Sequence, residues 1–305
     1  MSLIPFAAAF LSSLILTPVG ILLSRRTLLV DVPDGTALKI HSRPVPNPGG
    51  LILAASILPV VVLFAGPQAG PGREVSVIII GAIASLALGL VDDLKGLKPL
   101  TRLLAQAVLA AGAAWGGLTA GLLHSPVLDG ALAVLIVVSA MNAVNLLDGM
   151  DGLAAGVVAI SCAAFAVFSY ARGDQPAFAV TSAALAGLMG FLPYNFHPAS
   201  IFLGNSGSSL AGFLLGGLML LSLRAAPTPA GFAGSLLIVG LPAADTAFAI
   251  ARRITAGRRI TEGDREHFYD KLLRRGFSQR ESALIAYTAA ASLAASGLAV
   301  LLIGG

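Results

Sequence analysis

The stretch Asn142–Gly156, NAVNLLDGMDGLAAG, sets Asn142, Asn145, Asp148 and Asp151 at spacings of three in an otherwise apolar neighbourhood. Residues three and four apart share a helix face, so Asn145 and Asp148 belong together on one side. The Asp148-Gly149 and Asp151-Gly152 pairs then break the helix and let backbone approach a ligand closely. Carboxylate and amide oxygens are hard donors. Such donors suit Mg²⁺, which is held by one or two carboxylates together with waters and substrate phosphates. Two plain Asp-Gly turns would account for the aspartates but leave both asparagines without a purpose.

Other constellations point the same way. Asp92 and Asp93 follow directly on an apolar run, where adjacent carboxylates repel each other and lose hydration unless a cation or a donor answers them. They read either as a magnesium-linked or proton-accepting pair or as a solvated helix end balanced by Lys95 and Lys98. In Leu192–Gly212, Gly204, Gly207 and the serines precede an apolar run, so helix N-terminal N–H groups there could face a phosphate. Phe202 offers a stacking plate for a base, and glycine-mediated helix packing is the competing account. Asp245 lies two turns before Arg252 and either shares the polar site or pairs with Arg252 or Arg253. In the basic last loop, Arg265 and His267 could clamp a pyrophosphate, while most of the other cations form a solvated face that attracts anionic lipid. The single cysteine, Cys162, reads as a small core residue and excludes a thiolate cluster or disulfide framework.

These groups need elements to position them, and composition decides which kind. The 305 residues are 56% hydrophobic and 11% charged, with mean hydropathy +0.89, against about a quarter charged in soluble domains. The chain is an all-α polytopic membrane protein on this evidence. Apolar runs long enough to cross a bilayer are expected near 2–22, 49–66, 75–91, 101–122, 131–147, 152–172, 176–193, 207–223, 230–251 and 281–303. One membrane domain, 1–305, follows, because no polar segment reaches thirty residues. No basic region precedes the first run, so a cleaved signal peptide is not expected. No solenoid period or duplication of halves is evident. Alternate loops hold sixteen Lys and Arg against three in the opposite set. By the positive-inside rule the basic loops face the cytoplasm and both termini face outward. The net charge of +4 is thereby explained by topology and not by nucleic acid. Pro44, Pro46 and Pro48 impose an extended segment before the helix that opens at the next glycines, and Asp34-Gly35 marks a turn. A short helix ending at Gly276 and a Ser278–Glu281 capping box are expected in the last loop.

Taken in order, DVPDGTALKIHSRPVPNPGG, VDDLKG, NAVNLLDGMDGLAAG, YNFHPASIFLGNSGS and GDREHFYDKLLRRGFS resemble the polyprenyl-phosphate N-acetylhexosamine-1-phosphate transferase family. The resemblance implies a bundle of about ten membrane helices with a cytoplasmic catalytic cleft. It implies transfer of a sugar-1-phosphate from a UDP-sugar to undecaprenyl phosphate, release of UMP, and a need for Mg²⁺, with Mn²⁺ as a substitute. By that likeness Asp92 and Asp93 handle the lipid phosphate, with Asp92 removing a proton or aligning the nucleophile. Asp148 is catalytic and supports the metal, Asn145 and Asn205 are its amide ligands, and Asp151 contacts the uridine. Lys39, His41, Asn195, Phe202, Arg265 and His267 complete the substrate contacts. The expected partners are undecaprenyl phosphate, a UDP-amino sugar, membrane lipid and at most a second copy of the chain as a homodimer. Two departures stand out: Asn205 replaces the family's aspartate in Phe-x-Gly-Asp, and His267 is followed by Phe268, Tyr269 and Asp270 where further histidines are usual. The short last loop argues against a muramyl-pentapeptide substrate and for a smaller sugar, N-acetylglucosamine by default, with a 6-deoxy amino sugar open. A transporter or flippase, and an inactive lipid-binding relative, are the competing readings.

Overall fold

The computed structural model describes residues 2–24, 29–33, 43–65, 73–259 and 265–304. Lys39, His41, Asp34-Gly35 and Asp264 lie outside them. Twelve helices and one short ribbon make up the described residues: α1 (Ile4–Ser24), β1 (Val30–Asp31), β2 (Val45–Pro46), α2 (Gly49–Phe64), α3 (Glu74–Lys95), α4 (Pro99–Trp115), α5 (Pro126–Leu147), α6 (Leu153–Ala171), α7 (Gln175–Asn195), α8 (Gly204–Ala225), α9 (Pro229–Ile238), α10 (Gly240–Thr255), α11 (Phe268–Arg274) and α12 (Gln279–Gly304). Helix starts follow local chemistry. Ser125, Asp174 and Thr228 each accept a backbone N–H of the first turn, and proline occupies the first turn of α4, α5, α7 and α9.

Each of the ten expected runs coincides with a helix or a helix pair, but ten crossings are not confirmed. Seven described helices are long and apolar enough to cross a membrane, while α2 has only 16 residues and α4 only 17. The run expected at 230–251 is not one straight helix. It breaks at Val239, and α9 and α10 meet at 84°. Gly240 and Pro242 give the reason, since proline lacks the N–H that would continue the ladder and glycine resists the bend least.

Helix α8 is the axis of the bundle, buried along nearly its whole length between α3 and α5, with α2, α6 and α9 also against it. Apolar side chains gain little by leaving lipid for one another, so membrane helices associate through close packing at small residues. Here a Cβ on Gly212 or Gly216 would press on the α5 backbone at Met141 or Val137, and a Cβ on Gly50 would press on Ser206 and Gly207. At Gly89 of α3 it would collide with the backbone of Asn205 and Ser206.

The ends of the helices sort into two sets. At one end Glu74 pairs with Arg224 at 2.6 Å, and Arg172 N–H reaches Ala225 O. At the other the residues of interest meet. There β1 and β2 pair antiparallel, Val30 opposite Pro46 and Asp31 opposite Val45. Phe202 N–H donates to Pro46 O at 2.7 Å, tying the α7–α8 loop to the ribbon. The extended proline segment, the short helix before Gly276 and the Ser278–Glu281 box all form as expected.

Replacing Gly89 by Ala should therefore force α3 off the start of α8 and cost about 1–3 kcal/mol, the usual range for overpacking. Gly112, also helical, has nothing within 4 Å of its missing Cβ, so Gly112→Ala should be neutral or slightly stabilising. Thermal unfolding of both variants in detergent checks the contrast; equal melting temperatures would contradict the packing account.

Candidate functional site

Asp92 and Asp93 are neighbours in the chain but look to different partners. Asp92 is buried at the end of α3, where Oδ1 accepts Leu97 N–H at 2.7 Å and Oδ2 meets Arg102 Nη1 of α4 at 3.3 Å. The counter-cation is thus Arg102, and neither Lys95 nor Lys98. Asp93 takes both N–H groups at the start of α8, from Asn205 at 2.8 Å and Ser206 at 2.9 Å. This corrects the expectation that those N–H groups face a phosphate, because a carboxylate of the chain itself occupies the favourable end of the helix dipole. Gly204, with φ of 74°, makes the turn into α8 and leaves no side chain between Asn47 O and the Asp93 carboxylate.

From α5, Asn145 Nδ2 donates to Asn205 Oδ1 and to Ser208 Oγ, each at 3.1 Å. One turn earlier, Asn142 Nδ2 donates to Gln106 Oε1 of α4 at 2.7 Å. The two asparagines thus have separate duties: Asn145 faces α8, and Asn142 docks α4. Asp148 caps α5 with its backbone N–H on Val144 O. Its carboxylate differs from every other described one: it accepts no hydrogen bond and meets no cation, while Asp93 and Asp151 add repulsion. Burial first, and those two like charges next, hold its pKa well above the ordinary 3.8.

Asp151 is answered by His197, whose Nδ1 lies 2.8 Å from Oδ2, and by Ala199 N–H at 3.0 Å. Tyr287 and Arg280 of α12 brace this corner through Gly152 O and His197 O. Asn195 is 3% exposed and its Nδ2 donates to Ile201 O, so its amide holds the α7–α8 loop instead of facing solvent. Phe202 is half-buried on that loop.

The last loop folds back onto the same end. Arg265 Nη1 lies 3.2 Å from Asp270 Oδ1, and Asp270 Oδ2 accepts the His267 N–H at the start of α11. Burial raises the pKa of Asp270, opposed chiefly by Arg265 and then by the His267 N–H. His267 Nδ1 is 2.6 Å from Asp245 Oδ2, so Asp245 joins the polar region, and its partners are His267 and Phe268 instead of Arg252 or Arg253. Tyr269 O–H donates to Leu146 O beside Asp148, and burial, then Asp270, Asp245 and Asp148, raise its pKa. The structure thus gathers Asp93, Asn145, Asp148, Asp151 and Asn205 with the last loop above them, and turns Asp92 towards Arg102.

Several participants have no distinguishing mark in the sequence. Arg102 is one cation of a basic loop, Ser208 one serine of several, and Tyr269 stands where the family has histidines. Gln106 did carry a signal, as the one amide in the apolar run of α4.

A magnesium ion can be tested against these donors. Among the described residues no three His, Cys, Asp or Glu side chains are grouped to hold a metal unaided. Mg²⁺ does not need such a cage when substrate phosphates supply ligands. One unanswered carboxylate, Asp148, with the Asn145 and Asn205 amides beside it, fits that kind of site.

Residues 75–223 match the family model described as glycosyl transferase family 4, a span that includes all the residues of this cluster from Asp92 to Asn205. Over 93% of this chain and 80% of the relative, the sequence is 31% identical to a probable undecaprenyl-phosphate N-acetylglucosaminyl 1-phosphate transferase of Bacillus subtilis. The chain belongs to glycosyl transferase family 4. Within that family it is also 37% identical to a decaprenyl-phosphate N-acetylglucosaminephosphotransferase of Mycolicibacterium smegmatis, over 81% of this chain and 70% of that one. A phospho-N-acetylmuramoyl-pentapeptide-transferase of Desulforudis audaxviator is 31% identical over 97% of both chains. Family 4 membership agrees with the resemblance drawn from the five motifs, and the family is one of phosphosugar transferase enzymes.

The raised pKa of Asp148 has a signed consequence for the metal-free protein. Below the ordinary carboxylate pKa the group is protonated in both folded and unfolded states, and no stability is lost. As pH rises the unfolded chain ionises first, so folding stability falls until the folded pKa is passed. Asp148→Asn removes this loss. In EDTA the variant should melt higher than the parent at pH 7–8, and the difference should shrink towards pH 4; parallel melting curves at all pH values would contradict it.

Proposed function

We propose that this family 4 chain transfers an N-acetylhexosamine-1-phosphate, by default N-acetylglucosamine-1-phosphate, from a UDP-sugar to undecaprenyl phosphate, releasing UMP. The product would begin lipid-linked glycan synthesis for the cell envelope. The observation that carries the reading is the Asp148 carboxylate, alone among the described residues in lacking a donor and set beside Asp93, Asn145, Asp151 and Asn205. A carboxylate left so is costly unless a cation answers it when substrate binds.

In the reaction a lipid phosphate oxygen attacks the phosphorus that bears the sugar, and the bond to UMP breaks. Two anions must meet, so positioning and positive charge matter more than covalent help. Asp148, Asn145 and Asn205 would hold Mg²⁺, which when bound offsets charge on the diphosphate. Asp93 fixes the start of α8 through the Asn205 and Ser206 N–H groups, and so sets Asn205 against Asn145. Asp92, paired with Arg102, would orient the lipid phosphate or take its proton. Asp151 with His197, and Phe202, would receive the uridine; Arg265 and His267 would receive the diphosphate. Lys39 and His41 keep the substrate roles that the motif likeness implies.

The bias of sixteen basic residues against three supports a site on the cytoplasmic face of the bacterial inner membrane, with both termini outside. A water-insoluble acceptor and a cytosolic nucleotide can meet only there. A transporter would need carboxylates deep in several spans. The described ones instead sit in loops or terminal turns, Asp245 of the bent α10 apart.

Purified protein given undecaprenyl or decaprenyl phosphate, Mg²⁺ and a panel of UDP-sugars should release UMP only when lipid and an amino-sugar donor are both present, and not in EDTA. Silence with every donor would put an inactive lipid-binding protein ahead. Asn205→Asp adds a charge to the proposed ligand set. It should lower the Mg²⁺ concentration for half activity several-fold; an unchanged requirement would remove Asn205 from the metal.

A further inference from the structure

The bend at Val239 turns α10 by 84° from the line of α9, and Asp245, in the second turn of α10, meets the segment leading into α11. Asp245 is 7% exposed, and its carboxylate answers two groups there. Oδ2 lies 2.6 Å from His267 Nδ1, and Oδ1 accepts Phe268 N–H at 3.2 Å. His267 is itself only 3% exposed, and its ring stacks on Tyr269 with centroids 5.6 Å apart and planes within 6°. Tyr269 O–H donates to Leu146 O at 3.3 Å, and its phenol fills the space over Gly149, where any Cβ would collide with the hydroxyl. Leu146 and Gly149 bracket Asp148. Contact is therefore continuous from Asp245 through His267 and Tyr269 to the turn that bears Asp148.

A buried carboxylate is a costly way to anchor a loop, since apolar packing of similar volume holds as well or better. What the carboxylate adds is orientation. One oxygen fixes the imidazole by a directional bond and the other fixes the backbone next to it. We propose that Asp245 is a positioning residue for the donor nucleotide: acting through His267 and Tyr269, it holds Arg265–Asp270 in one geometry with the Asp148 turn, so that both sides of the bound diphosphate are met together. The proposal rests on the transferase reading above. Asp245 is not placed on substrate or reacting atoms, and its effect should fall on donor binding.

Full-length protein bearing Asp245→Ala, Asp245→Asn or Tyr269→Phe tests this by UMP release, with KM measured separately for UDP-sugar and for polyprenyl phosphate. Asp245→Ala should raise the donor KM about tenfold, equivalent to about 1.4 kcal/mol, and leave the lipid KM within about twofold. Asp245→Asn, which keeps one acceptor, should lie between it and the parent, and Tyr269→Phe should move the same constant less. If Asp245→Ala does not fold, the other two variants carry the comparison. A donor KM unchanged in all three, or both KM values rising together with a falling melting temperature, would overturn the proposal. Hydrogen exchange supplies a readout independent of turnover: Asp245→Asn should speed exchange in the 146–152 peptide, across Tyr269 from the substitution. Unchanged exchange there sinks the coupling, whereas a parent protein that makes no UMP sinks only the transferase reading.

Discussion

Carboxylates crowded at the end of an apolar bundle must be answered, and most of the architecture at that end consists of the answers. Charge repulsion between Asp93, Asp148 and Asp151 is poorly screened where protein and lipid exclude water. Asp93 is answered by two N–H groups of α8, Asp151 by His197 and the Ala199 N–H, and Asp92 by Arg102 and the Leu97 N–H. Each answer also fixes a piece of backbone. Asp93 locks α3 to α8, Asp151 locks the α5–α6 turn to the α7–α8 loop, and Asp92 locks α3 to α4. Among the described residues Asp148 is left as the one carboxylate that no donor or cation answers.

Small residues in the core and polar residues at its end are two consequences of one packing choice. Asp93 can cap α8 only if α3 and α8 run almost in contact, which Gly89, one turn earlier, permits. Asn145 reaches Asn205 and Ser208 because α5 lies equally close to α8, at Gly212 and Gly216 further along. Close approach of this kind is how membrane helices associate without a hydrophobic driving force between them. The same approach brings backbone donors and side-chain amides from three helices to one place. Stability of the bundle and geometry of the site therefore respond together to a change at a single glycine.

Much of this was legible in the sequence, and the remainder was hidden for physical reasons. Length and apolarity located every run, since a bilayer fixes how long a span must be. They could not reveal the break at Val239. Pro18, Pro59 and Pro193 all sit inside unbroken helices, so a proline alone does not mark a break, and at Pro242 the glycine two residues earlier acts with it. Motif spacing brought out Asp93, Asn145, Asp148 and Asp151, because i, i+3 neighbours and Asp-Gly turns are local. Pairings across helices have no local trace. Asp92 with Arg102, Asn142 with Gln106, and Asp245 with His267 join residues 10 to 36 positions apart, and many other partners in the chain would have satisfied the same chemistry. Asn195 is a polar residue of a motif that also holds a loop carbonyl through its Nδ2, a pairing its position in the motif does not reveal.

Asn205 shows how the charge balance and the chemistry trade against each other. An aspartate at this position would add a fourth carboxylate to a cluster in which Asp93 already binds the backbone N–H of the same residue. Two negative groups would then compete for the start of α8, and the Asn145 amide that now donates to Asn205 would face the newcomer. With asparagine the side chain accepts the Asn145 N–H at 3.1 Å and carries no charge, so the cluster is easier to fold without a cation. The same neutrality removes one attraction for a cation. If a metal binds here as proposed, a chain with Asn205 should tolerate an empty site better than its aspartate counterpart, and should lean more on Asp148 and on the phosphates of its substrate to bring the metal in.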